Sequence, residues 1–439
     1  MRAWAGRLAL VAGVLACQGG GPADAPTPAA LLRERAAAVG VRSLAARPAD
    51  PPAMVALGRA LFHDKVLSGS RDIACSTCHN LAYHTTDLLS LSIGTGGDGL
   101  AVGRQLGTGA FAARNAPELF NRGHPEWRRL FWDGRVEVTA AGLATPAGAA
   151  LPPGLSGVLA AQVLFPMSAR GEMRGRPGEN PLADLPDSAF TAIWDGIVSR
   201  VVALPGYDTL ARAAFPGRDG VDIGIADLAN AVAAFIGTSW SFPDAPFDRL
   251  LTGEDAALTP AALRGGLLFF GRARCATCHR GPLLTDQEFH NVGVPALGPG
   301  LAGATDAGRY AVTGDPADRF AFRTPSLRNV AHSPPYMHNG GYRSLAEAVR
   351  HYRDVPAALF AFDTLGVDPR LRATIDLAPA SLAAIASTLD PLLGAPLSLS
   401  DADVDDLVAF LVALTDPRSS ILLGDIPATV PSGLPVHDY

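Results

Sequence analysis

Two five-residue stretches constrain this chain more than any other feature: Cys75-Ser76-Thr77-Cys78-His79 and Cys275-Ala276-Thr277-Cys278-His279. Each is a C-x-x-C-H, in which two thiols can form thioethers to the vinyl groups of a haem while the following His offers its imidazole to the iron from one face. Together they use four of the chain's five cysteines, so coincidence explains them poorly. A zinc ribbon usually sets its two Cys pairs within about twenty residues of each other. Neither a ribbon nor a pair of redox dithiols accounts for a His after both pairs. Two covalently bound haem c groups are therefore expected, with His79 and His279 as iron ligands.

A chain of 439 residues, 48% of them hydrophobic, can bury two domain-sized cores, the same number as its haem motifs. A net charge of -6 gives no reason to expect nucleic acid. Met1-Arg2 and Arg7, followed by the apolar run Leu8 to Ala16, read as the charged and apolar parts of a signal peptide spanning 1–22, too short to cross a bilayer as a mature helix. The expected location is the periplasm or cell envelope, where disulfides and c-type attachment are both at home. Cys17, after Val14-Leu15-Ala16, resembles a lipoprotein cysteine whose acylation would anchor a soluble body to a membrane. The alternative is an ordinary cleaved signal with an incidental Cys. Residues 23–49, rich in Ala, Pro and Gly, read as a tether with a peripheral helix near Leu31 to Val39.

The order of elements is repeated. Asp50-Pro51-Pro52 introduces Met54, Leu57, Leu61 and Phe62 at helical spacing, and Thr259-Pro260 introduces Leu263, Leu267, Leu268 and Phe270. Each of these helices runs into a C-x-x-C-H. After each motif and a long irregular stretch comes an apolar helix, Asp227 to Ile236 in one case and Asp405 to Leu411, capped by Ser400, in the other. The repeat implies an internal duplication, with one unit over 50–250, a second over 251–425 and a tail over 426–439. With β-branched alternation scarce, the fold class is mainly α, two cytochrome-c-like haem domains with extensive loops. Thr139 to Leu159, rich in Ala, Gly and Pro, reads as a surface loop.

Beyond the haem motifs, the chain carries Arg114-Asn115-Ala116-Pro117, Phe131-Trp132-Asp133-Gly134-Arg135, Phe322-Arg323, Leu327-Arg328-Asn329-Val330, Pro335-Tyr336-Met337-His338-Asn339-Gly340 and Glu347-Ala348-Val349. With Cys75 to Gly94, this set resembles the bacterial dihaem cytochrome c peroxidase and MauG family over nearly the whole mature chain. The resemblance implies a peroxide-reactive haem in the N-terminal domain and an electron-transfer haem in the C-terminal one.

Heterolytic cleavage of a peroxide O–O bond needs an open iron and an acid–base group that carries a proton from the near oxygen to the leaving one. The resemblance assigns that role to Glu172, with Gln162 ten residues earlier as a polar partner that orients peroxide or water. Taken alone, Glu172 would read as a solvated loop acid. Many relatives hold a blocking His on the distal side of this haem. Counted without gaps from His79, that position is Thr95, and no His occurs between His84 and His124. The expectation is an iron that is five-coordinate or carries only water and needs no reductive opening. His84 is the nearest alternative, and its spacing suits a loop or a propionate contact better.

At the C-terminal haem, electron-transferring relatives ligate iron with a Met three residues after Glu-Ala-Val. Here that position is Tyr352, and all five Met residues precede it. A phenolate donates electron density and favours higher oxidation states, as in MauG, which oxidises residues of a partner protein. The other readings are a core aromatic, with His351, Met337 or nothing as sixth ligand. The resemblance makes Trp132 the relay between the haems, where composition alone would call it core packing. It also implies Ca²⁺ between the domains on oxygens of Asn115, Ser333 and Pro335.

The partners expected are hydrogen peroxide and a small redox protein or protein substrate. A homodimer is allowed, nucleic acid is not expected, and membrane contact is limited to the lipid anchor. The function read from these residues is peroxide reduction at the N-terminal haem, with electrons passed through the C-terminal haem from a cytochrome, cupredoxin or protein partner. A MauG-like oxidase is the alternative, and a non-catalytic dihaem carrier stands behind both.

Overall fold

The computed structural model describes residues 26–219, 222–301, 303 and 305–436. The signal segment and Cys17 lie outside them. In chain order the helices are α1 Pro28–Ala38, α2 Pro52–His63, the single turn α3 Cys75–Cys78, α4 Val158–Ser168, α5 Phe190–Val202, α6 Pro205–Ala214 and α7 Ile225–Ser239. They continue with α8 Pro246–Leu251, α9 Pro260–Phe269, α10 Tyr310–Thr313, α11 Leu345–His351, α12 Val355–Phe360, α13 Pro379–Ala386 and α14 Asp401–Val412. Strands are short: β1 Arg129–Leu130, β2 Val136–Thr139 and β3 Gly142–Ala144 form an antiparallel sheet, and β4 Phe289–His290 pairs with β5 Phe322–Arg323. Part of the stretch expected as a bare loop is thus the β2–β3 hairpin, with Val138 opposite Leu143.

Two apolar cores divide the chain. The first gathers Leu57, Leu61 and Phe62 of α2 with Leu164 of α4, Ile193 and Trp194 of α5, and Leu228, Val232 and Phe235 of α7. The second gathers Phe247 and Leu250 of α8, Phe269 of α9 and Leu407, Phe410 and Leu411 of α14. The internal repeat is visible at atomic scale. A Cβ on Gly58 of α2 would lie 1.8 Å from the Ala231 carbonyl oxygen and 2.9 Å from Phe235 Cβ. A Cβ on Gly265 of α9 would lie 1.8 Å from the Asp406 oxygen and 2.9 Å from Phe410 Cβ. The same helix pair therefore crosses in the same way in both units, with glycine required because backbone meets backbone.

Several local expectations change. Asp50 does not cap α2, whose N-cap is Pro51; its carboxylate instead accepts from Arg47 at 2.6 Å and Thr238 at 3.0 Å. Thr259 does cap α9, through Ala262 N at 3.2 Å, and Ser400 caps α14, through Asp403 N at 3.2 Å. The segment read as a tether is folded onto the second core from residue 28 onward: Ala29, Leu32 and Ala36 form one apolar stripe of α1 and bury against it. Asp248 helps to hold this junction, pairing with Arg328 in a buried bidentate contact at 2.7 and 2.8 Å. Arg328 also donates to the Arg42 carbonyl at 3.0 Å. At the other end, the chain crosses back to the first unit. Leu422 joins its core, Trp240 Nε1 donates to Asp425 at 3.1 Å, and Ser432 donates to Asp64 at 2.6 Å.

Candidate active site

The two attachment motifs present their histidines identically. His79 Nδ1 lies 3.1 Å from the Thr85 carbonyl and His279 Nδ1 lies 3.1 Å from the Leu284 carbonyl. A carbonyl only accepts, so Nδ1 carries the proton and Nε2 keeps its lone pair for a metal. Burial holds His79 neutral, lowering its pKa to about 4, and lowers that of His279 too. Burial likewise pushes the Cys75 thiol up to about 12, so both motifs stand in dry, apolar surroundings that suit a porphyrin.

Around the first motif the polar groups come from distant segments. α4 runs directly into one π-type turn, Arg170–Arg174, which carries Glu172. Gln162 is half-buried on α4. Burial raises the Glu172 carboxyl above its ordinary range, while the positive charges of Arg135 and Arg114 oppose that rise. Its charge acts on both Cys75 and Cys78, so it lies in the neighbourhood of the attachment motif. Thr95 is buried and committed elsewhere. Its hydroxyl donates to Asp72 at 2.7 Å, its N–H donates to the Glu172 carbonyl at 2.8 Å, and Asp72 also accepts from Gly96 N at 2.6 Å. The residue at the position of the blocking His is thus a strut under the Glu172 turn. His84 turns toward the other unit, its ring stacked on His332 with centroids 4.0 Å apart.

The second motif opens into a largely apolar cavity lined by Phe269, Cys275, Cys278, His279, Met337 and Tyr352, with Trp132 also in its wall. Tyr352 follows α11 directly and is half-buried, and its phenol is pushed up by desolvation first and by the sulfurs of Cys278 and Cys275 next. His351 is excluded as a ligand because both nitrogens are used: Nε2 lies 2.6 Å from the Val292 carbonyl and Nδ1 lies 2.7 Å from Tyr342 Oη. Met337 shares the cavity wall with Tyr352.

Trp132 stands in the wall of the second cavity. Phe131 beside it packs into the first core, while the Trp132 indole donates to the Asn115 carbonyl at 2.9 Å and lines the second cavity. Asn115 also donates its side-chain amide to Leu89 O at 2.9 Å, and its N–H to His338 O at 2.8 Å. Pro335 meets the same seam, since Gly340 lies against both Ser90 and Pro335. Ser333, two residues before Pro335, donates its hydroxyl to Val330 O at 3.1 Å.

Sequence reasoning gave no role to the charged groups that hold this seam. Arg114 forms a bidentate pair with Asp306 at 2.7 and 2.8 Å and reaches Asp133 at 2.7 Å. Asp133, lowered to about 2 by Arg135 and Arg114 despite its burial, also holds Arg135 at 3.0 Å. Arg135 lies 3.6 Å over the Phe131 ring. At the second cavity His290 sits 2.5 Å from Asp390 and 3.4 Å from Asp286, and Asp286, the Cys278 sulfur and Asp390 raise it to about 11. Arg114, Asp133 and Arg135 stand inside motifs already recognised, whereas Asp306, Asp286, His290 and Asp390 stand outside them. For the first three only the ion pairing was hidden.

A family description of di-haem cytochrome c peroxidases matches residues 52–256. The methylamine utilization protein MauG of Methylorubrum extorquens is 31% identical over 377 residues, 86% of this chain and 82% of its own. The chain belongs to the dihaem cytochrome c peroxidase and MauG family. The cytochrome c551 peroxidase of Pseudomonas aeruginosa is 31% identical over 294 residues, 67% of this chain and 69% of its own. Among solved structures, a MauG-like protein associated with microbial copper homeostasis aligns with a TM-score of 0.59 at 29% identity, covering 87% of this chain and 94% of that one. The diheme peroxidase BthA from Burkholderia thailandensis aligns at 0.58 and 24% identity, which bears on the fold alone. This dihaem family member is thus an enzyme of the peroxidase class with haem c as its cofactor, and the apolar surroundings and free Nε2 atoms of its two motifs fit that group.

Proposed function

We propose that the protein is a peroxide-dependent oxidoreductase in which hydrogen peroxide is reduced at the N-terminal haem site and the C-terminal cavity exchanges electrons with a partner. Bound haem supplies the redox chemistry, two-electron oxidation by peroxide on one side and one-electron exchange on the other. The observation that carries this reading is Glu172, a half-buried carboxyl held on a turn bonded to Thr95, whose pKa desolvation raises and whose charge is felt by both cysteines of the first attachment motif. A carboxylate there accepts the proton from the near oxygen of peroxide and returns it to the leaving oxygen as water forms. Gln162 orients the peroxide. Thr95, tied to Asp72 and to the Glu172 backbone, supports the turn and leaves the distal face open.

Trp132 carries electrons between the haem sites, held in place by Asn115. Tyr352, in the cavity wall with Met337, would hold the C-terminal haem in place of His351, both of whose nitrogens are engaged. A phenolate stabilises oxidised iron and makes the site a poor acceptor from a small cytochrome. That chemistry favours a second reading, MauG-like oxidation of residues on a partner protein, over turnover with a cytochrome or cupredoxin donor. Oxygens of Asn115, Ser333 and Pro335 hold Ca²⁺ at the seam, a donor set without sulfur or nitrogen that suits a hard cation. Export through residues 1–22, with a lipid at Cys17, completes the proposal.

Stopped-flow mixing tests it. Peroxide added to the fully oxidised protein should change the haem absorbance directly, with a high-spin ferric EPR signal already present at rest. Reduced cytochrome c offered in a second mix should be oxidised slowly. No response of the oxidised protein would refute the open distal site, and fast cytochrome turnover would refute the protein-oxidising branch.

A further inference from the structure

The two nitrogens of His351 do more than exclude it as a ligand. The Val292 carbonyl can only accept, so the proton of the neutral ring sits on Nε2, bonded over 2.6 Å. Nδ1 therefore presents a lone pair, and the Tyr342 hydroxyl donates to it at 2.7 Å. A phenol hydrogen-bonded to an imidazole lone pair can lose an electron and a proton together. The phenol stays neutral throughout, and the proton moves only along an existing hydrogen bond.

This pair stands directly behind the C-terminal cavity. The His351 ring is 5.3 Å from the Tyr352 ring and 5.3 Å from the Tyr342 ring, so the three aromatic groups form a continuous file. Tyr342 is anchored to the cavity wall through its backbone, accepting from Tyr336 N at 2.7 Å, and Tyr336 lines the cavity. On its outer side Tyr342 meets Phe362 at 5.6 Å. The next residue, Arg343, binds the carbonyls of Leu365 and Gly366, and Leu365 is 68% exposed. The file thus runs from the cavity toward the surface. Tyr207 also has a basic partner, Asp64 at 2.8 Å, but it belongs to α6 in the first core.

We propose that Tyr342 is a redox-active tyrosine that relays oxidising equivalents outward from the C-terminal cavity. In the step, Tyr342 gives one electron to the peroxide-oxidised cofactor and its phenolic proton to His351 Nδ1. The products are a neutral tyrosyl radical and an imidazolium that keeps its bond to Val292. An electron arriving from a reducing partner restores the phenolate oxygen, and the proton returns from His351. This assignment rests on the peroxide reading above for its oxidant.

The test is freeze-quench EPR on the holoprotein, once with peroxide and once with hexachloroiridate(IV), which oxidises the protein without using the N-terminal haem site. A tyrosyl signal whose hyperfine structure narrows with ring-deuterated tyrosine is expected. It should be lost in Tyr342→Phe while the haem absorbance and melting temperature stay as in the parent. His351→Gln, which preserves a hydrogen-bond acceptor but removes the base, should lower the yield of the same signal. A signal of undiminished intensity in Tyr342→Phe, or no tyrosyl signal with either oxidant, would overturn the proposal. A Tyr342-dependent signal with hexachloroiridate alone supports Tyr342 and instead refutes the peroxide reading.

Discussion

The two haem-attachment sites begin alike and end differently. Each has a C-x-x-C-H, a His whose Nδ1 lies 3.1 Å from a backbone carbonyl, and a helix pair locked by a glycine against a facing carbonyl. The proximal half of each site is therefore the same object built twice. What stands opposite is not. Near the first motif stands Glu172, on a π-type turn held by Thr95, with Arg135 and Arg114 lowering its carboxyl against desolvation. The second faces an apolar wall with Tyr352 in it and a Tyr342–His351 pair behind it. The repeated geometry lies in the attachment motifs and their helix pairs, and the difference lies in the unrepeated segments.

The largest effect should come from removing the proposed acid–base group, Glu172, on one side only. Glu172→Gln keeps the shape and loses the proton acceptor, so the peroxide-driven absorbance change should slow by about 10²–10⁴-fold in stopped flow, the usual contribution of a positioned general base. The spectrum of the C-terminal haem should be unaltered. In the parent the active form is the carboxylate, so the rate should rise with pH through a pKa above the ordinary glutamate value, because burial raises it. That limb should vanish in Glu172→Gln. A pH-independent parent rate would break the contrast between the sites.

A change on the other side should sharpen the contrast. Tyr352→Met replaces a phenol by a thioether and should raise the potential of the C-terminal haem, as Met ligation does. Spectroelectrochemical titration reads this shift, and the initial peroxide rate at the N-terminal haem site should stay close to that of the parent. A potential that does not move would return Tyr352 to the role of a core aromatic.

The smallest effects concern what the halves share. Gly58→Ala and Gly265→Ala each force a Cβ to 1.8 Å from a facing carbonyl, so α2 and α7, or α9 and α14, must move apart. Each should lower stability by about 1–3 kcal/mol in thermal melts, the range for overpacked cores. Unequal costs would show that the two crossings tolerate separation differently.

Much of this was legible in the chain itself. The paired haem motifs, the repeated helices and the Thr259 and Ser400 caps are local patterns, each complete within a few residues. Asp50 misled because an acid before Pro-Pro looks like a cap, whereas Arg47 and Thr238 claim its carboxylate in three dimensions. The 28–49 segment misled because its composition is that of a linker, while Ala29, Leu32, Ala36 and Val41 are buried in the second core and Leu44 in the first.

By itself, then, the sequence determined the cofactors and their number, because thioether attachment and the proximal His occupy five contiguous residues. Only the tertiary structure decided the distal chemistry. The carbonyl of Val292 removes His351 as a ligand, Asp72 and the Glu172 backbone make Thr95 a strut, and Arg114 joins Asp133 to Asp306 across the seam. Those outcomes depend on partners far away in sequence, and a donor's role is fixed by which acceptor reaches it first in space.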